Sequence, residues 1–171
     1  KAPPSFTLLY CLEAPPYGGD TIWANQYMAY ETLSPGLRDT LLQTDLIHSA
    51  GSAYGTGGYL DSVKGKMSTV VEPSKDAYRE ETHPAVIAHA ETGRAALYAN
   101  PVYTSRVAGW SQAESNGLLQ HLYRHAVNEN FTWRLSWRKG TLAIWDNRCT
   151  QHFAMNDYHG HRREMVRTSV K

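Results

Sequence analysis

Residues 145–152 form the polar segment Trp145-Asp146-Asn147-Arg148-Cys149-Thr150-Gln151-His152. It is the densest cluster of polar groups in a region whose other residues follow a strand pattern. Strands are predicted around it at residues 131–137, 141–145, 152–155 and 164–170. Because polar side chains set among short strands are costly unless they find partners, this segment is the first candidate for a functional site.

The rest of the chain adds further short strands and a few helices. Strands are predicted at residues 5–12, 21–23, 84–89 and 95–99, and the last two flank a turn at residues 91–94. Helices are predicted at residues 26–33, 37–42 and 112–128, the last beginning at the capping box Ser111-Gln112-Ala113-Glu114. Residues 51–75 show no sustained period and are predicted to form a long loop or lid.

This order of elements predicts a mainly β protein with peripheral helices. Many short strands separated by turn residues favour a sandwich or barrel of the jelly-roll kind over a parallel sheet. A chain of 171 residues is long enough for one domain with a sizeable core and too short for two ordinary ones. We therefore expect a single domain over residues 1–171.

The composition excludes several classes of partner. The net charge is +1, with 17 basic and 16 acidic residues spread along the chain, which is not the footprint of a nucleic-acid binder or a membrane-surface protein. No apolar run approaches the roughly 20 residues of a membrane-spanning helix. Cys11 and Cys149 lie far apart, which is typical of a reducing compartment such as the cytoplasm. A small-molecule partner fits these properties best.

The sequence resembles the taurine dioxygenase and 2,4-D dioxygenase family of Fe(II)- and 2-oxoglutarate-dependent dioxygenases. Residues 145–152 match the family's WDNR-x-T-x-H stretch, and Asp157-Tyr158, Arg163 and Arg167 follow at the family's spacing. Residues 18–23 match GGDT-x-W. A third family element is matched by residues 83–84, 91–94 and 96–100. The resemblance covers essentially the whole chain and implies a double-stranded β-helix, that is, a cupin-like jelly-roll barrel.

The resemblance also implies roles for five residues. His152 would bind Fe(II), for which imidazole is a suitable ligand. Arg163 would hold the distal carboxylate of 2-oxoglutarate, with a hydrogen bond from the Thr21 hydroxyl. Arg167 would bind the acidic group of the primary substrate, and Tyr103 would form an aromatic wall of its pocket, although ordinary core packing explains Tyr103 equally well.

The two arginines support this interpretation on physical grounds. Arg163 and Arg167 are four residues apart, so on one strand they face the same way, roughly 13 Å apart at their α-carbons. Guanidinium groups directed into a barrel require anions, and they bind carboxylate or sulfonate through a planar fork that lysine cannot reproduce. We therefore expect a small organic acid as the ligand.

The activity implied by the resemblance is hydroxylation of a small organic acid by O2, with release of succinate and CO2. A sulfonate, an alkyl sulfate or a phenoxyalkanoate would each satisfy one arginine, and Tyr54, Tyr59 and Tyr103 favour a bulkier aryl or alkyl substrate slightly. Relatives suggest a homo-oligomer, either a dimer or a tetramer.

One family element is absent from the sequence. The family's other two iron ligands come from an HxD motif on the strand before residues 5–12, and we expect such a motif just upstream of Lys1, so the barrel is predicted to be incomplete at the N-terminus. His89-Ala90-Glu91 has an HxE pattern, but it falls where the family has a turn between strands, and we interpret it as a turn.

Two other interpretations stay open at this point. The first is a metal-free β-barrel module that keeps the paired arginines to bind a small organic anion. The second is a structural remnant that forms part of a barrel and exposes an unpaired sheet edge. The residues that precede Lys1 would discriminate among all three.

Overall fold

The computed structural model describes residues 4–62 and 72–170, and its strands form four small sheets. The strands are β1 (Phe6–Glu13), β2 (Thr21–Asn25), β3 (Asp45–Ser49), β4 (Glu80–Pro84), β5 (Val86–Ala88), β6 (Ala95–Leu97), β7 (Thr104–Val107), β8 (Thr132–Leu135), β9 (Leu142–Asp146), β10 (Thr150–Ala154) and β11 (Glu164–Val170). Three sheets have the orders β11-β1-β9, β10-β2-β8 and β4-β3-β7, and β5 pairs with β6. The pairings within the three-stranded sheets are antiparallel.

Helices occupy the segments between these strands. They are α1 (Gln26–Glu31), α2 (Pro35–Leu42), α3 (Gly51–Tyr54), α4 (Tyr59–Ser62) and α5 (Gln112–Ala126), with 3-10 turns at Lys75–Tyr78 and Glu129–Phe131. The longest helix, α5, begins at the predicted capping box, where the Ser111 N–H donates to Glu114 Oε2 at 2.9 Å. The prediction of a mainly β chain with a few helices is therefore confirmed. In the described part of the chain, no helix combines the length and hydropathy needed to cross a membrane.

The chain divides into two compact units, and the first contains the two sheets around the WDNR segment. Its described residues are 4–32, 88–96 and 126–170. Alternation along β1 turns Leu9 and Cys11 toward one face, where Cys11 is fully buried. Cys11 pairs with Met165 of β11, and both pack into a core that contains three buried tryptophans. The residues of the candidate site pack against this core.

The second unit contains the sheet β4-β3-β7 and most of the helices. Its described residues are 33–62, 72–87 and 97–125. Leu119 and Leu122 lie on the buried face of α5, and the buried Ser115 hydroxyl accepts a hydrogen bond from the N–H of Val107 at 3.1 Å. The helix therefore supplies a hydrogen-bond acceptor to the backbone of β7 and also covers apolar surface.

A histidine cluster lies in the second unit. The His48 ring stacks on Tyr98 with 5.3 Å between centroids, and the His83 ring meets His48 edge-on at 5.1 Å. Burial first, and the nearby His83 second, lower the pKa of His48 from 6.5 to about 4. The native state therefore favours neutral His48.

This shift predicts an acid-dependent loss of stability. Because the unfolded state binds the His48 proton more readily, the stabilisation is fully present above pH 6.5 and is lost as the pH falls toward 4. At about 1.4 kcal/mol per pKa unit, we expect roughly 2–3 kcal/mol of the free energy of unfolding to disappear over that range. Denaturant unfolding at several pH values should show this loss in the wild type and a smaller one in His48→Phe. If the free energy of unfolding changed equally with pH in the two proteins, the result would contradict this prediction.

The structure differs from the sequence predictions in three places. β3, β4 and β7 were not predicted, because each is short and lacks a clear alternation. α2 includes Pro35 and Gly36, which we had placed in a break, since proline is well suited to the first helical turn. Within the predicted loop at 51–75, residues 51–54 and 59–62 form single helical turns, and residues 63–71 lie outside the described part of the chain.

Candidate functional site

His152 lies in the middle of β10, directly opposite Trp23 of β2. Its ring stands 4.9 Å from that of Trp145, at a tilt of 55°. The residue is accessible to solvent, yet the protein around the ring desolvates it enough to lower its pKa, and the positive charge of Arg167 lowers it further. Both effects keep the imidazole neutral near neutral pH, which is the form that binds metals.

Three buried tryptophans connect the surroundings of His152 to those of Arg163. This tryptophan cluster consists of Trp23, Trp137 and Trp145, which are at most 8% exposed. The Trp23 ring lies 5.4 Å from Trp145 and 6.3 Å from Trp137. Trp137 Nε1 donates to the hydroxyl oxygen of the buried Thr21 at 2.9 Å, so the Thr21 oxygen acts as acceptor there and its own proton is available for another partner.

Arg163 is the second residue, after His152, around which the candidate site is organised. Its Nε donates to the carbonyl oxygen of Gly19 at 3.0 Å, and its Cζ lies 6.0 Å from the ring of Trp137 and 5.9 Å from that of Tyr158. Its Nη2 atom is buried and has no acceptor among the described residues. A buried guanidinium nitrogen without an acceptor is costly, so this position is suited to an anion.

Gly18 and Gly19 allow the close packing around Arg163, and their backbone conformation explains the GGD motif in the sequence. Gly18 and Gly19 both have positive φ, at 68° and 69°. A Cβ at Gly19 would lie 3.0 Å from Arg163 Cδ, and one at Gly18 would lie 2.6 Å from Asp157 Oδ1. The Gly19 N–H also donates to Asp157 Oδ1 at 2.7 Å. The GGD and DY segments thus fit together: a larger residue at Gly19 would displace Arg163, and one at Gly18 would displace Asp157.

Arg167 lies within β11, whereas Arg163 immediately precedes that strand. The strand predicted at residues 164–170 is therefore confirmed, and Arg163 is the residue directly before it. Arg167 is exposed, pairs with Leu9 of β1, and its charge acts on His152. Within residues 4–62 and 72–170 its guanidinium makes no ion pair, so it is available to an anionic ligand.

Tyr103 lies in the second unit and is 40% exposed. Its ring is nearly parallel to that of Tyr54, with an angle of 8° and 6.3 Å between centroids. The two tyrosines form an aromatic surface whose outer part is open to solvent. Tyr103 is therefore not an ordinary core residue, and its role in a substrate pocket stays a prediction.

A polar network surrounds the turn between β9 and β10. Asp146 accepts hydrogen bonds from Arg148 Nη2 at 2.6 Å and from the buried His89 Nε2 at 2.9 Å, and Arg148 Nη1 lies 2.9 Å from Glu91 Oε2. Burial raises the pKa of Asp146, but the hydrogen bonds from Arg148 and His89 outweigh it and hold the pKa well below its usual range. The network therefore fixes the turn that leads into β10.

The same network accounts for the HxE pattern. His89 and Glu91 lie in the turn between β5 and β6, closed by the hydrogen bond from Gly93 N–H to the His89 carbonyl at 2.8 Å, as predicted. Possible ligand atoms of His89, Asp146 and Cys149 lie within 4.8 Å of one another. The Arg148 guanidinium already neutralises Asp146, so a cation would have to displace an existing positive charge. We interpret these residues as structural.

Sequence reasoning missed the buried tryptophans as part of the site. Trp23 and Trp145 lie in the two motifs that match the family, and this position is the signal that could have identified them. The hydrogen bond from Trp137 to Thr21 spans 116 residues and leaves no trace in local periodicity.

Comparison with known proteins is consistent with this geometry. Residues 1–169 match the sequence profile of the family described as taurine catabolism dioxygenase TauD, TfdA family. An alkylsulfatase of Acinetobacter baylyi is 36% identical over 165 residues, which are 96% of this chain and 51% of that protein. An alpha-ketoglutarate-dependent sulfate ester dioxygenase of Pseudomonas putida is 35% identical, covering 92% of this chain and 52% of its own length.

Solved structures agree with the sequence comparison. The crystal structure of a taurine dioxygenase from Burkholderia xenovorans superposes with a TM-score of 0.81 at 32% identity, covering 98% of this chain and 52% of that one. The chain thus spans about half the length of the proteins it matches.

Proposed function

Because the chain belongs to the taurine catabolism dioxygenase TauD, TfdA family, we propose that it carries the 2-oxoglutarate-binding part of an Fe(II)-dependent dioxygenase that hydroxylates a small organic acid. The observation that carries this proposal is the buried, unpaired Nη2 of Arg163 beside the buried Thr21–Trp137 pair. A carboxylate accepts from a guanidinium and from a hydroxyl at once, and such charge-assisted hydrogen bonds are strong. Arg163 and Thr21 therefore suit the distal carboxylate of 2-oxoglutarate.

His152 is the residue that we assign to iron. Its neutral imidazole suits Fe(II), and its exposure leaves room for further ligands. His152 belongs to no cluster of three or more metal-ligand side chains in the described residues, so the chain as described supplies one ligand of the expected three. The relatives are about twice as long as this chain, and the other two ligands would come from an HxD motif in the full-length protein.

Arg167 is the residue that we assign to the primary substrate. It is exposed, and its charge lowers the pKa of His152, which supports an anion-binding role for it beside the proposed metal ligand. A guanidinium binds sulfate, sulfonate and carboxylate groups alike. The relatives named for alkylsulfatase and sulfate ester activity lead us to favour an alkyl sulfate.

The chain's own residues contribute binding and orientation to the reaction. Bound Fe(II) and 2-oxoglutarate supply the activation of O2, with succinate and CO2 as products. Arg163 and Thr21 would hold one end of the co-substrate, His152 would hold the metal, and the buried tryptophan cluster would keep water away from this side of the site. Exclusion of water strengthens the electrostatic interactions made inside the site.

The organisation of the whole protein is also part of the proposal. We propose that the chain forms a single catalytic domain of the jelly-roll kind. We further propose a cytoplasmic homo-oligomer, either a dimer or a tetramer, that has neither nucleic acid nor membrane as a partner.

The test is succinate formation by the full-length protein. With Fe(II), 2-oxoglutarate and O2, we expect an alkyl sulfate to stimulate succinate release more than a sulfonate or a phenoxyalkanoate does. Arg167→Ala should raise the KM for the substrate by roughly tenfold or more, because a charged hydrogen-bond partner is lost, and should leave the KM for 2-oxoglutarate nearly unchanged. The exposed Arg138→Ala is the control.

Two results of this test would count against the proposal. Absence of both succinate release and iron binding would favour the metal-free module that binds a small organic anion. Succinate release with an unaltered substrate KM in Arg167→Ala would remove Arg167 from the substrate site.

A further inference from the structure

Three buried side-chain atoms lack a hydrogen-bond partner within the described residues: Trp23 Nε1, Trp145 Nε1 and Arg163 Nη2. The two tryptophans are 8% and 7% exposed, so water reaches neither indole easily. Buried N–H groups are nearly always paired, and leaving one unpaired is costly. Two unpaired indole N–H groups in one core therefore require an explanation.

The position of these atoms follows a pattern. The Trp145 ring contacts His152, the Trp23 ring contacts both other tryptophans, and the Trp137 ring lies 6.0 Å from the Arg163 guanidinium. The one member of the cluster whose N–H is paired, Trp137, donates to Thr21. The two unpaired indole groups thus belong to one ring cluster, in which Trp145 contacts the proposed metal ligand and Trp137 lies near the proposed carboxylate anchor.

The chemistry of these atoms selects the ligand. All three are donors, and none can accept a hydrogen bond. A ligand that satisfies them must offer several acceptors and need not supply donors. 2-Oxoglutarate has two carboxylates and a keto group, so at neutral pH its five oxygen atoms are all acceptors. A water molecule would bring two donors of its own, for which this apolar cluster offers few acceptors.

We infer that the indole N–H groups of Trp23 and Trp145 bind oxygen atoms of 2-oxoglutarate. This inference rests on the proposed function and extends the co-substrate site from Arg163 and Thr21 to two tryptophans. It gives the WDNR and GGDT-x-W motifs a shared purpose, since each contributes one N–H donor to the same ligand. The aromatic rings also remain packed against one another, which keeps both donors in fixed positions.

The first test measures binding without turnover. The full-length protein loaded with Mn(II) is titrated with 2-oxoglutarate by calorimetry. Trp23→Phe and Trp145→Phe keep an aromatic ring and remove the N–H, and each should weaken binding about tenfold or more. The matched control is Trp133→Phe, because Trp133 packs against Trp23 at 5.6 Å but is 59% exposed. It should change the affinity by less than about twofold.

A second test uses the unaltered protein and does not depend on the variants folding. In 15N-labelled full-length protein with Zn(II), the indole N–H signals of Trp23 and Trp145 should move downfield when 2-oxoglutarate is added. Those of the exposed Trp110 and Trp133 should stay in place.

The possible outcomes separate the inference from the proposed function. If 2-oxoglutarate binds and Arg163→Ala weakens it, while Trp23→Phe, Trp145→Phe and both indole signals behave like the controls, the inference is wrong and the proposed function stands. If 2-oxoglutarate does not bind the metal-loaded protein at all, both are wrong.

Discussion

Arg163→Ala in the full-length protein is expected to weaken 2-oxoglutarate binding by roughly a hundredfold or more, since truncating one partner of a buried charge pair typically costs 2–5 kcal/mol. The guanidinium is held by the carbonyl oxygen of Gly19, and its buried Nη2 has no acceptor among the described residues. Without it, the co-substrate carboxylate would be desolvated with only the Thr21 hydroxyl to bind. The dissociation constant of 2-oxoglutarate with Mn(II) bound is the measurement.

The neighbouring arginine provides a matched control. Arg162 is 69% exposed and pairs with Glu164 at the surface, so Arg162→Ala should leave 2-oxoglutarate binding close to that of the wild type. Arg163→Lys should rescue little, because an ammonium cannot both bind the Gly19 carbonyl and present a planar fork. Equal affinities for the Arg162 and Arg163 variants would remove Arg163 from the co-substrate site.

His152→Ala is expected to abolish succinate formation and to weaken Fe(II) binding by more than about a hundredfold, beyond the 10–100-fold that loss of an outer-sphere partner typically causes. The residue stands on a strand fixed on one side by β2, and its neutral ring can ligate a metal without first losing a proton. Anaerobic titration with Fe(II) measures the affinity directly.

His159→Ala is the control for the His152 variant, because His159 is exposed in the loop that follows β10. It should retain both metal binding and succinate formation. Unchanged Fe(II) affinity in His152→Ala would mean that the metal is held elsewhere, and the group of His89, Asp146 and Cys149 would then have to be reconsidered.

Much of the fold could be predicted from the sequence because capping motifs, helical spacing and strand alternation are local patterns. The capping box at Ser111 and the helical spacing after it predicted α5 to within a few residues. Alternation and β-forming residues predicted β1, β2 and the strands around the WDNR segment. Short strands such as β3 and β7 escaped prediction because neighbours far along the chain stabilise them, rather than their own residues.

The candidate site divides in a similar way. The amino-acid sequence is sufficient to show which residue types are present and at what spacing: a histidine suited to iron, two arginines suited to anions, and glycines before Thr21. These follow from side-chain chemistry, which does not depend on the fold. The HxE pattern was interpreted as a turn because of its place in the family that the sequence resembles.

Which of these groups have hydrogen-bond partners depends on the folded structure. The contacts between Arg163 and Gly19 and between Trp137 and Thr21 span 144 and 116 residues, and they determine which donors are satisfied and which are left for a ligand. Periodicity along a strand says which face a residue occupies, but not which strand lies opposite or in what register. The unpaired N–H groups of Trp23, Trp145 and Arg163 are therefore a property of the folded chain alone, because burial and long-range pairing create them.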